Sequence, residues 1–113
     1  MKQIYDFEPK AVETIISTGM MTTVLRLSIT KRKDGTWECE EVEYNHKEPL
    51  TEEKDYGLMV STLIRSRYSQ DQVEAITQNY LADPEDHKQE FDDLQTWRKE
   101  CKRIAKTLFS NAQ

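Results

Sequence analysis

Met21-Thr22-Thr23-Val24-Leu25-Arg26-Leu27-Ser28-Ile29-Thr30-Lys31-Arg32-Lys33-Asp34-Gly35-Thr36-Trp37-Glu38-Cys39-Glu40-Glu41-Val42-Glu43-Tyr44 is the stretch on which the fold turns. Met21, Thr23, Leu25, Leu27 and Ile29 share one face of an extended chain, while Thr22, Arg26, Ser28 and Thr30 fall largely on the other, the period of two that marks a half-buried strand. Lys33-Asp34-Gly35-Thr36 follows, and Asp-Gly between two alternating runs signals a hairpin because glycine tolerates positive φ. The return strand is predicted from Trp37 to about Tyr44. Its apolar phase slips, since Trp37 and Cys39 share one parity and Val42 and Tyr44 the other. A bulge near Glu40-Glu41 would reconcile them.

Upstream, Ile4, Tyr5, Phe7, Val12, Ile15 and Ile16 form an apolar but irregular segment broken at Pro9, which reads as one or two edge strands. Downstream, the period changes at Thr51. Thr51 can cap a helix with Glu52 and Glu53 in its first turn, and Tyr56, Met59, Val60, Leu63 and Ile64 make the stripe of that helix. Ser69 and Gln72 have capping-box spacing and Tyr68 can staple to Val73, so a second helix should start at Gln70. Val73, Ile76, Tyr80 and Leu81 give it an apolar face. Asp83-Pro84 then suits the start of a third helix, whose stripe is Phe91, Leu94, Trp97, Cys101, Ile104, Ala105 and Leu108, ending near Phe109. The fold class that results is α+β: a short antiparallel β-sheet followed by three α-helices. We read residues 1–113 as one domain, with a β-rich part at 1–48 and a three-helix part at 49–110.

Length supports that reading, because 113 residues is a common size for a single domain. Hydrophobic residues make up 36% and charged residues 33%, with a mean hydropathy of -0.84. So polar a chain can bury only a modest core, and association would help it. Few prolines and glycines and no low-complexity run point to a charged surface rather than disorder. A net charge of -5 argues against nucleic acid as a partner. No apolar run approaches the roughly 20 residues of a membrane span, and acids interrupt the first residues where a signal peptide needs an apolar stretch. A cytoplasmic protein is the expectation.

Chemistry is sparse. No phosphate-binding glycine loop, nucleophile elbow or His-Glu-x-x-His is present, and we expect no enzyme, cofactor or metal. His46, just after the second strand, and His87, in the first turn of the third helix, lack a ligand-spaced partner and read as surface or boundary residues. Cys39 and Cys101 read as core thiols, with a disulfide the alternative. Glu38, Glu40, Glu41 and Glu43 lie beside the basic turn Lys31-Arg32-Lys33, so cross-strand charge pairing explains them. Tyr56, Tyr68, Tyr80 and Trp97 read as core aromatics with polar tips at the edge. An apolar stripe left uncovered would instead be a docking site.

The most suggestive feature is a basic ridge. Arg98, Lys99, Lys102, Arg103 and Lys106 occupy one continuous face away from the stripe that holds Trp97. Such a face can simply complement the helix dipole. Only Glu100 lies at i,i+3 spacing from one of these bases, Arg103, so the ridge is also free to meet an acidic protein partner or the chain's own Glu-rich hairpin.

Tyr56-Gly57, Leu63-Ile64-Arg65, Tyr68-Ser69, Glu74-Ala75-Ile76, Asn79-Tyr80-Leu81 and Trp97-Arg98-Lys99-Glu100-Cys101-Lys102 resemble a module in small uncharacterised proteins of gut Bacteroidales and their phages or prophages. The resemblance covers roughly residues 55–108 and implies a phage structural or assembly accessory, without active residues, which would place the protein in a phage particle as the alternative to the cytoplasm. The resulting expectation is a non-enzymatic interaction or assembly protein acting through the basic ridge, with Trp97 beside it, or through an exposed sheet edge. Homo-oligomers fit the same reading. A small regulatory or anionic-ligand-binding module is the alternative, with Lys99, Lys102, Arg103 and Lys106 holding the anion.

Overall fold

A computed structural model of the chain describes residues 1–111, which form four strands and three helices in the expected α+β order. They fall into two compact units, Met1–Leu50 and Thr51–Gln113, so the boundary lies where the period of the sequence changes.

The first unit is an antiparallel sheet of β1 (Lys2–Tyr5), β2 (Val12–Ser17), β3 (Met20–Lys31) and β4 (Trp37–His46), in the order β1-β4-β3-β2. The apolar N-terminal segment thus supplies two strands, one at each edge. Thr18 (φ 50°) and Gly19 (φ 76°) make the two-residue β2–β3 turn, the left-handed pair that matches strand twist. Between β3 and β4, Gly35 takes φ 90° and its N–H donates to the Arg32 carbonyl at 3.1 Å. Asp34 Oδ1 accepts from both the hydroxyl (2.5 Å) and the N–H (2.9 Å) of Thr36, and these bonds hold its carboxyl below its usual pKa.

The bulge lies on the other strand from the one expected. Leu27 pairs with Glu40 and Thr30 with Glu38, so Ser28 and Ile29 together face Cys39, with Ser28 left-handed at φ 55°. β4 itself runs straight. Its phase slip is real, because cross-strand partners share a face: Thr23, Leu25, Val42, Tyr44 and His46 lie on one side, Val24 and Cys39 on the other, and all seven are buried. Both faces carry buried side chains, so a strand that changes its apolar parity needs no bulge of its own.

His46 corrects the boundary reading. It is the last residue of β4 and only 9% exposed. Its Nδ1 lies 2.7 Å from the Glu48 carbonyl, which can only accept, so Nδ1 carries a proton. Nε2 meets the Thr23 hydroxyl at 2.8 Å, and that hydroxyl lies 3.0 Å from the hydroxyl of Thr14. A chain of hydrogen bonds therefore joins β2, β3 and β4. The glutamate partners also differ from those expected: Glu41 pairs with Arg26 at 2.8 Å and Glu38 with Lys2 at 3.1 Å, not with the basic turn.

The second unit contains α1 (Glu52–Arg65), α2 (Gln70–Ala82) and α3 (Lys88–Asn111), with α3 packed on both others. Thr51 Oγ1 accepts from the Lys54 N–H at 3.3 Å, while the buried Asp55 carboxylate returns a bond to the Thr51 N–H at 2.9 Å. Both halves of the Ser69–Gln72 capping box are present. α3 begins one turn later than the sequence suggests. Asp83 Oδ1 accepts from the Asp86 N–H at 3.4 Å, as a cap should, but residues 84–87 form a separate turn. His87 accordingly precedes the helix.

Met59, Leu63, Leu94, Cys101 and Ala105 are fully buried, with Val60, Trp97 and Phe109 nearly so, each large side chain contributing about 1.5 to 3 kcal/mol. α2 buries no residue completely. Its anchor is Tyr80, stacked on Phe91 with centroids 3.9 Å apart and 10° between planes. Leu81, expected on the apolar face, is 70% exposed, because it stands about 140° round the helix from Ile76. Cys39 and Cys101 are free buried thiols, and burial pushes Cys101 up to about 11.

Candidate interaction face on α3

Positions 98 to 106 sit on the middle turns of α3, before its last turn, and the opposite stripe is committed to the core through Leu94, Trp97, Cys101 and Ala105. At 100° per residue the five bases cover about 140° of the helix, with Arg98 bordering the core stripe. Arg98 is accordingly half-buried, whereas Lys99, Lys102, Arg103 and Lys106 are exposed.

Two of the five bases are already engaged. Glu100 takes a fork of bonds from Arg103, at 3.0 Å from Nε and 2.5 Å from Nη2. That pairing lowers the Glu100 carboxyl and raises Arg103. Lys106 bonds the Glu52 carboxylate in the first turn of α1, and its own pKa rises for that reason. Arg98, Lys99 and Lys102 make no hydrogen bond or ion pair with another described residue. What remains is a narrower ridge of three cations over one turn of helix.

Trp97 does not join that face. It is 7% exposed, and the Arg67 guanidinium lies 3.7 Å from its ring centroid, close enough for a strong cation–π contact. Its Nε1 is buried without a hydrogen-bond partner among the described residues. Trp97 is thus a core anchor, covered from the end of α1 by a residue the sequence reading passed over. Nothing in helical periodicity singles out Arg67, since it follows the last turn of α1.

The polar cluster of the sheet was likewise not legible in the sequence. Arg26, with a side chain 7% exposed, reaches Glu41 at 2.8 Å, Glu13 at 3.0 Å and the Lys10 carbonyl at 3.0 Å, with its guanidinium 5.2 Å from the Tyr5 ring centroid. Tyr5 donates its hydroxyl to Glu41. Burial acts to raise the Glu41 carboxyl, yet the bonds from Tyr5 and Arg26 and the charge of Arg26 hold it below its usual value. The same bond to Glu41 raises Tyr5. The cluster joins β1, β2, β3, β4 and the 6–11 connection, which makes it a structural clasp.

A shallow depression of about 350 Å³ lies beside the bulge, lined by Met1, Lys2, Ser28, Glu38, Cys39 and Glu40. The Lys2–Glu38 pair occupies its rim. Among the described residues no three His, Cys, Asp or Glu side chains gather as a metal site, and no helix is long and apolar enough to cross a membrane. Comparison with protein-family models, with curated proteins and with solved structures finds no match.

Proposed function

We propose that this chain is a non-enzymatic docking or assembly protein that presents the outer face of α3 to an acidic protein surface. The observation that carries the reading is the residue left over after pairing: Arg98, Lys99 and Lys102 stay without a carboxylate among the described residues, in a chain whose net charge is -5. Cations held in a row on a rigid helix steer encounter with an acidic patch and fix its register. An assembly accessory, as the resemblance to phage-associated proteins implies, is a role of this kind.

The test is capture of one defined partner by the tagged protein, compared with the Arg98→Glu, Lys99→Glu, Lys102→Glu variant. Binding that is lost in the variant and weakens with salt supports the reading. Equal capture by both proteins refutes it, and displacement of the partner by inorganic pyrophosphate would assign the face to a small anion instead.

A further inference from the structure

β2 offers a different surface, and its chemistry is that of hydrogen bonding. The Arg26 N–H donates to the Ala11 carbonyl at 2.8 Å, so Ala11 and Arg26 form a hydrogen-bonded pair, and such pairs alternate along an antiparallel ladder. The register then turns the backbone groups of Glu13, Ile15 and Ser17 inward to β3. Those of Val12, Thr14 and Ile16 face outward, along the open edge of the sheet. Every residue of β2 is exposed, with Val12 at 40% and Ile16 at 72%.

The opposite edge is guarded. β1 has only four residues and carries Lys2, whose side chain, although paired with Glu38, stays 71% exposed at the edge and resists strand addition. β2 has six and lacks both lysine and proline, and its one charge, Glu13, is neutralised by Arg26 at 3.0 Å. An unguarded apolar edge of this kind is a template for another strand.

We infer that the β2 edge pairs antiparallel with the β2 edge of a second copy, about a two-fold axis at Thr14. Only registers that set outward residues against outward residues can form the ladder. One centred on Glu13 would carry Ile16 past the end of the other strand and set it against Lys10. One centred on Ile15 would push Val12 against the turn at Thr18. Centred on Thr14, the strand overlaps along its whole length: Thr14 meets Thr14 of the other copy, and each Val12 meets an Ile16. Three hydrogen-bonded pairs form, and each exposed Ile16 is covered by the Val12 of the other copy. A single pair of short strands buries less than the roughly 1,600 Å² of a standard interface. The dimer is therefore concentration-dependent, in the micromolar to millimolar range.

Sedimentation equilibrium over that range tests the inference. The wild-type mass should rise from 13.4 kDa toward twice that value. Val12→Lys alone and Ile16→Glu alone should each hold the protein at the monomer mass, with unchanged circular dichroism. The double variant should dimerise again, because each Lys then faces a Glu across the axis, whereas within one chain positions 12 and 16 stand about 13 Å apart. A wild-type chain that stays monomeric would overturn the inference, as would single variants that dimerise like wild type or a double variant that does not recover.

Discussion

The sheet unit and the helical unit satisfy a polar sequence in opposite ways. The sheet takes polar groups inside: Arg26 and Glu41 are clasped beneath Tyr5, and buried Thr23 and His46 bond each other in a row that reaches the exposed Thr14. The helices keep the Lys88–Asp92, Arg103–Glu100 and Lys106–Glu52 pairs at the surface, with Asp55 their one buried carboxylate among the described residues, and bury Met59, Leu63, Leu94 and Cys101. What each leaves unfinished differs in the same sense: the sheet leaves a hydrogen-bonding edge, the helices a charged face. A bonded polar core tolerates the loss of one partner poorly, whereas an exposed ion pair contributes little to stability.

That contrast can be broken at either end, and each unit has its own reporter, Trp37 in the sheet and Trp97 in α3. The largest effect is expected from Trp97→Ala, which should lower the stability of the helical unit by about 3 to 5 kcal/mol through the cavity it leaves. Circular dichroism at 222 nm with urea reads it, and a loss within error would place Trp97 outside the core. Arg26→Ala should cost the sheet about 3 kcal/mol, since it strands the Glu41 carboxylate. Trp37 fluorescence follows that unfolding, and a cost like that of a surface pair would show that the clasp does not hold the sheet.

The clasp also has a pH signature. Glu41 is held below its unfolded pKa, so the stability it contributes is complete above about pH 4.5 and is lost as pH falls through the lower folded value. Trp37-monitored urea midpoints should therefore drop in acid, and Glu41→Gln should flatten that drop. An equal acid slope in both proteins would place the titration elsewhere. A smaller effect, roughly 1 kcal/mol, is expected from Ser69→Ala, which removes the cap of α2. An unchanged midpoint would show that α2 does not depend on it.

Local signals made most of the fold legible. The Asp34-Gly35 turn, the caps at Thr51 and Ser69, and the apolar stripe of α3 each act within a few residues, and the chain obeys them. The Ser28-Ile29 bulge was not legible in its place, because phase slip on β4 says that parity changes without saying which strand absorbs the extra residue. His46 escaped for a related reason: the Glu48 carbonyl is only two residues away, but Thr23 comes beside the ring only when β3 and β4 are in register. Of the ridge, position on the helix face could be read from spacing, and so could the Arg103–Glu100 pair. The Lys106–Glu52 bond joins residues far apart in sequence, and no periodicity announces it.

The most direct measurement takes the Lys99→Glu, Lys102→Glu variant, both exposed positions, through urea unfolding, followed at Trp97 in a Trp37→Phe background, beside capture of the partner by the same protein. If the outer face of α3 serves docking, the midpoint should stay within about 0.5 kcal/mol of the parent, as for other surface substitutions, while capture is lost. A clear fall in the midpoint would make these cations part of the fold, and an unchanged midpoint with unchanged capture would leave them a solvated helix face; either result would contradict the proposed role.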